Sequence, residues 1–398
     1  MPTNQTAEFP ATWNQVVAFR LSRHHLLERA PANALAAVAG DMAGVQAQLL
    51  SAAQISLWSR VRDLHTANIE RALSERVLVK AACMRQTQFI VPSEQLAIFV
   101  RGSARRAEKE IRWARGKGVP DRIIDAAIDA ALGAALGALD QPRTRPEIAE
   151  HVSRILGVQA QTIRGGGWGS RRKIAAVPVG EITFPVVDLL HLAAARGVVC
   201  SGPNRGNEPT FVRADAWIPK WQDVAKEQAE VSLLRRYLRA FGPATATDFA
   251  LWTGMTLTEA REIWAHEQYG FMPVTVEGQA AEILREDLDV LAQAGFEQPL
   301  VRLLPYFDTF LLGHKERDHL VAREHQPHIY RAQGWIAPVV LVGGRVVAVW
   351  EQVREGNHLR VKVTKFGSIS PRIMSEIQEE AHNLSQFLGV PSVDIQMD

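Results

Sequence analysis

Apolar residues recur at helical spacing through the first part of the chain. Trp13–Glu28 carries them three and four apart, Pro31 opens a second segment as an N-terminal proline can, and residues 47–62 continue with Leu49, Leu50, Ala53, Leu57 and Val61. Thr66 caps a short helix, and Lys80–Pro92 then alternates like a strand, with Phe89, Ile90 and Val91 in a β-prone run. Ser93–Gly118 reads as one long helix, apolar in its first half and basic in its second, and 123–139 as an Ala-rich helix. Thr144-Arg-Pro-Glu147 is a capping box with proline in the first turn, ahead of another short helix. A helix at 186–197 precedes strands at 198–200 and 210–213, which flank the turn segment SGPNRGNEP in the manner of a wing.

The pattern then returns. Val231–Ala240, Thr245–Gly254 and Thr256–Gln268 read as three helices, with a compact helix-turn-helix connection at 253–256 and a hairpin formed by Phe271–Val276 and Glu282–Leu284. The last third changes character: an apolar run at 303–313, a polar, histidine-rich stretch at 315–328, a hairpin at 338–350 around Gly343-Gly344, a strand at 358–364 and a closing helix at 371–388. The expected fold class is therefore α+β and mainly helical, built from tandem winged-helix units. Its expected divisions are an N-terminal helical or winged-helix region at 13–140, further winged-helix units at 141–230 and 231–300, and a C-terminal α+β unit at 301–398.

Composition narrows the class without naming a function. With 398 residues, 47% of them hydrophobic and 22% charged, the chain has enough apolar material for a sizeable core. A net charge of +2 is too small for totals to argue nucleic-acid binding, so clustering has to carry it. Cys83 and Cys200 form neither a metal spacing nor a disulfide framework, which fits a reducing cytoplasm. The polar opening and the lack of a long apolar run predict neither a signal peptide nor a membrane span. The histidines are scattered or adjacent rather than at ligand spacing, so neither a metal nor another cofactor is expected.

Gly44-Val-Gln-Ala-Gln48 is the stretch with the most unusual chemistry. Two neutral amides one residue apart sit in an apolar run, where unpaired buried amides cost roughly 1–3 kcal/mol each. Gln46 and Gln48 face the same way only if the backbone is extended there. The plainer reading is that they satisfy backbone groups at a helix boundary. The same five letters recur at Gly157–Gln161, which reads as coincidence or a structural echo. Positive charge does cluster: on a continuous helix Arg101, Arg105, Arg112 and Arg115 would fall within about 80° of one another, as a phosphate-following rail or as a solvated face paired with Glu108 and Glu110. A Gly-rich basic loop adds Arg171, Arg172 and Lys173, and Arg205 projects from the tip of the 201–210 segment.

Read together, Gln46-Ala-Gln48, Leu57-Trp-Ser-Arg60, Met84-Arg-x-Thr87, Phe241-GPATATDFALWTG, Leu304-Pro-Tyr-Phe-Asp308 with Leu311-Leu-Gly313, and Val339-VLVGGRVVAVW resemble the AlkZ/YcaQ family of winged-helix DNA glycosylases, from about residue 15 to 388. The resemblance implies a C-shaped protein that cradles duplex DNA and removes alkylated bases, including bulky adducts and crosslinks. It places the family's catalytic Gln-x-Gln signature on Gln46 and Gln48. The chemistry is consistent: an N7-alkylguanine or N3-alkyladenine already carries positive charge and departs as a neutral base. Two amide carbonyls then suffice, one orienting water at the anomeric carbon and both stabilising the oxocarbenium-like sugar. Asp41 and Asp63, nearby in sequence, are possible added anions. The alternative is a winged-helix protein that binds DNA without catalysis. Expected partners are double-stranded DNA and no membrane, for a monomer in the cytoplasm on the nucleoid. Two departures from the family pattern bear on substrate preference: Gln86 and Gln88 fall in the stretch where Met-Arg-Gly-Thr-x-His is common, which here holds neither Gly nor His, and His314-Lys-Glu-Arg317 stands where Tyr-x-Asp-Arg is common.

Overall fold

A computed structural model describes residues 8–398 apart from 117–119, 121, 123–128, 130–131, 134–136, 138–140, 165–172, 180–181, 207, 297 and 299. The chain divides into two compact units, the first being Met1–Ala72 with Leu234–Trp252 and Thr256–Asp398, the second Leu73–Leu233 with Thr253–Met255. It mixes helix and sheet, and among the described residues no helix is long and apolar enough to cross a membrane.

The first unit is organised around the helix Trp13–Arg23, which opens with a capping box between Thr12 and Gln15. Apolar residues on two of its faces give it two cores. Val16 and Phe19 enter a cluster with Ala11, Val274, Val276, Ile283 and Leu291, while Val17 and Leu21 enter another with Leu304, Phe307, Phe310, Leu341 and Val346. The first cluster lies on a three-stranded sheet in which Phe9–Ala11 runs parallel to Phe271–Val276, itself in a hairpin with Gln279–Leu284. The second lies on a five-stranded sheet of Val301–Leu304, Val339–Val342, Arg345–Glu355, His358–Lys365 and Ser392–Met397, antiparallel except for its final parallel pair. The strands Phe9–Ala11 and Ser392–Met397 are not among the sequence expectations; the first is only three residues long, and the second alternates Val393, Ile395 and Met397 with polar residues. Helix Pro371–Phe387, N-capped by Ser370, packs on this sheet through Ile377, Ala381 and Leu384. Tyr237, Phe241, Phe249 and Trp252 form a buried aromatic group on the neighbouring helices.

In the second unit, a hairpin of Leu78–Ala82 and Gln88–Pro92 turns through Arg85 and Gln86, both left-handed, at the place where the resembled family has glycine. The long helix expected over Ser93–Gly118 is instead a set of short ones, Leu96–Gly102, Ala104–Ala107 and Lys109–Gly116. The first interruption falls at Ser103, whose hydroxyl and backbone N–H both donate to the Phe99 carbonyl, at 2.7 Å and 3.2 Å, and whose own backbone leaves the helical range at φ −101° and ψ 8°. Gly102 permits the close approach of the Lys226–Phe241 helix, since a Cβ there would lie 2.7 Å from the Ala229 carbonyl oxygen and 2.8 Å from Leu233 Cβ. The expected capping box at Thr144 and Glu147 is present and opens helix Arg145–Leu156. A three-stranded antiparallel sheet follows, Gln161–Arg164, Lys173–Val179 and Ile182–Pro185, then helix Val186–Ala195 and the strands Val199–Ser201 and Thr210–Arg213. Ile148, Val152, Val177, Leu189, Leu190 and Phe211 form its core. Most of the expected 123–139 helix, and Arg171 and Arg172 of the basic loop, lie outside the described residues.

Candidate active site

The Gln46 stretch is built at a helix end. Helix Leu35–Asp41 stops at Met42, Ala43 and Gly44 turn the chain with φ of 54° and 91°, and Val45–Gln46 is extended. The helix expected from Ala47 begins only at Leu50 and ends at Trp58. The strand thus stops at Gln46, ahead of Ala47, the residue whose backbone sets how Gln46 and Gln48 face relative to each other. Val45 and Ala47 are buried, Gln46 is 7% exposed, and Gln48 is exposed.

Behind this stretch lies a fully sealed polar cluster. Asp308 accepts from Arg60 through both carboxylate oxygens, at 2.7 Å and 2.9 Å, from the Ser56 hydroxyl at 2.8 Å and from the Phe310 backbone N–H at 3.0 Å. Arg60 also donates to the Ser56 carbonyl and the Ser59 hydroxyl, and the side chains of Arg60 and Asp308 are both 0% exposed. Four hydrogen bonds to one carboxylate are what a buried charge needs to offset its lost hydration. Asp308 thereby caps the single helical turn Thr309–Leu312 and fixes Thr309. The Thr309 hydroxyl donates to the Gly44 carbonyl at 3.2 Å and accepts from the Gln46 N–H at 3.4 Å. The two strings Leu57-Trp-Ser-Arg60 and Leu304-Pro-Tyr-Phe-Asp308 therefore meet directly beneath Gln46.

Sequence reasoning looked for an acid in Asp41 or Asp63 and missed Asp308. Asp41 instead pairs with His25 at 2.8 Å and is about half exposed, and Asp63 is exposed in a left-handed turn. The available signal was Arg60 and Asp308 each lying in a recognisable string; what the sequence lacks is any local hint that they are partners.

His314 and the aromatic group explain a further string. His314 Nε2 lies 2.8 Å from the Phe241 carbonyl oxygen, so that nitrogen carries the proton, and burial holds the ring well below the usual histidine range. Arg20, lowered to about 10 by burial, donates to the carbonyls of Gly242 and Pro243 and to His319 Nε2 at 2.9 Å. An arginine can only donate, so the His319 proton sits on Nδ1. His319 stacks on Trp13 at a centroid distance of 4.2 Å and is itself kept neutral by burial and then by Arg20.

The basic residues lie in the second unit, and two of them are held by acids distant in sequence. Arg101 pairs with Asp223, and Arg105 holds Glu230 in a two-pronged contact at 2.7 Å and 3.0 Å. Glu108 pairs with Lys226. The helix is interrupted at Ser103 and again at Glu108, so Arg101, Arg105 and the pair Arg112 and Arg115 stand on three successive short helices. Arg101, Arg112, Arg115, Arg196 and Lys226 nevertheless line one cleft of about 580 Å³. Arg205 folds onto Glu147 at 2.7 Å and the Pro142 carbonyl at 3.0 Å. The Thr144 backbone N–H, then Arg205, bring the Glu147 carboxyl down to about 2. Lys173 is exposed at the start of its strand.

Three comparisons bear on this arrangement. The sequence pattern of the family described as DNA glycosylase AlkZ-like matches residues 39–387. An interstrand DNA cross-link repair glycosylase of Streptomyces sahachiroi is 30% identical, the match covering 97% of this chain and 99% of the relative. The solved structure of Streptomyces sahachiroi DNA glycosylase AlkZ superposes with a TM-score of 0.79 at 28% identity, over 98% of this chain and all of that one. The match thus takes in both the Gln46 stretch and the string that anchors it, and the chain belongs to the AlkZ-like family of DNA glycosylases.

Proposed function

We propose that this protein excises cationic alkylated purines, N7-alkylguanine or N3-alkyladenine, from double-stranded DNA by water attack at the anomeric carbon, with Gln46 and Gln48 as its catalytic residues. The observation that carries the reading is the Gln46 stretch itself: an extended backbone, anchored from below, with Gln46 almost buried and Gln48 exposed next to it. One carbonyl orients the water, and both amide dipoles meet the positive charge that develops on the sugar. A neutral amide is a poor general base, so undamaged purines, which need protonation to leave, are not substrates. With no lysine in the stretch, base release leaves the strand uncut. The similarity to a cross-link repair glycosylase extends the proposed substrates to bulky adducts and crosslinks.

The DNA-facing part of this reading rests on the basic cleft of Arg101, Arg112 and Arg115, with Arg105, Arg171, Arg172, Lys173 and Arg205 as further phosphate contacts. The protein acts as a monomer in the cytoplasm, on the nucleoid. Winged-helix modules at 13–140, 141–230 and 231–300 with the unit at 301–398, forming a C-shaped cleft, complete the reading. The three helices Lys226–Phe241, Ala246–Thr253 and Leu257–His266 followed by the hairpin at 271–284 support it.

The test is incubation with a duplex carrying N7-methylguanine. Free base should appear with the unaltered protein and fall by about 10²–10³-fold with Gln46→Ala plus Gln48→Ala, the usual cost of removing preorganised polar groups at a developing charge. Tight, salt-dependent binding without release would identify a non-catalytic DNA-binding protein instead.

A further inference from the structure

We infer that Thr309 is a positioning residue for Gln46, acting through its hydroxyl. This rests on the reading of Gln46 as catalytic. The hydroxyl spans the Gly44 carbonyl and the Gln46 N–H, an acceptor and a donor two residues apart. Bridging those two groups holds the intervening Val45 extended and fixes the backbone from which the Gln46 side chain leaves. The Gln46 N–H is too deeply placed to be left without a partner cheaply.

Three further observations indicate that the bridge is built rather than incidental. The chain reaches it through Ala43, a non-glycine residue at φ 54°, and Thr309 is reached through Phe307 at φ 58°; such conformations persist only where the surroundings over-determine them. Thr309 itself is 1% exposed, so its hydroxyl is out of reach of bulk solvent. Finally, Thr309 is the residue after Asp308, whose four hydrogen bonds leave the start of that helical turn little freedom. The chain of support runs from Arg60 and Ser56 to Asp308, from there to Thr309, and from its hydroxyl to the backbone of the catalytic stretch.

Thr309→Val keeps the shape and removes both the donor and the acceptor; Thr309→Ser keeps both and removes a methyl group. With the N7-methylguanine duplex, Thr309→Val is expected to lower kcat by about 10–100-fold with KM within about twofold, the scale on which a misplaced catalytic group costs rate. Thr309→Ser is expected to stay within about threefold of the unaltered protein. Thr309→Val added to Gln46→Ala is expected to slow release no further than Gln46→Ala alone, because a residue acting through another has nothing left to position. Should Thr309→Val fail to fold, Thr309→Ala takes its place with the same expected split. Equal losses in the Ser and Val variants, a rise in KM without a fall in kcat, or fully additive losses with Gln46→Ala would overturn the proposal. If Gln46→Ala itself has no effect, it is the assignment of the catalytic pair that fails, whatever Thr309 does.

Discussion

The five letters GVQAQ occur twice, and the two copies show what a local sequence decides. Both follow a helix, and in both the glycine is left-handed, at φ 91° for Gly44 and 65° for Gly157. Each also closes its helix with a bond reaching five residues back, Gly44 N–H to the Ala39 carbonyl and Val158 N–H to the Ser153 carbonyl. There the likeness ends. The first copy runs into Val45–Gln46, under which Thr309 and the sealed Asp308 cluster lie, whereas Gln159 and Gln161 of the second are exposed at the start of a hairpin. The helix stop is written locally; what the glutamines meet is written 263 residues away.

The most damaging way to break this contrast is to remove what only the first copy has. Asp308→Ala leaves Arg60 as a buried, unpaired charge and should cost about 3–5 kcal/mol in urea-induced unfolding; a loss below about 1 kcal/mol would show that the cluster is not what secures this region. Next comes activity. Gln159→Ala plus Gln161→Ala should leave base release within about twofold of normal while the Gln46 and Gln48 pair abolishes most of it, and equal losses would make the two copies functionally alike. The smallest effect sharpens the part they share: Gly157→Ala places a Cβ at a left-handed helix end with open space around it, so thermal or urea unfolding should register only the backbone cost of about 1 kcal/mol.

The same division between local and distant explains what could be read beforehand. The capping box at Thr144, the helix start at Thr256, the hairpin at 271–284 and the closing helix are local, and the sequence predicts each within a few residues. The Ser93–Gly118 helix misleads because apolar and charged spacing continues straight across Ser103, while the backbone there leaves helical geometry. Spacing alone puts Glu108 and Glu110 beside its arginines; Asp223 and Glu230, more than a hundred residues on, hold Arg101 and Arg105. Gln46 and Gln48 were legible because two amides in an apolar run raise a question of hydrogen bonding. Their support was not, because Arg60 and Asp308 are 248 residues apart.

That separation has a consequence for synthesis. The second unit is an almost continuous stretch, whereas the first needs Trp13–Arg23 to meet strands that begin at Val301. At about 5–20 residues per second, Gln46 leaves the ribosome roughly 13–50 s before Thr309 does. For most of that interval the nascent helix has apolar faces and no partner for them, so the Gln46 stretch is made well before the residues that give it shape.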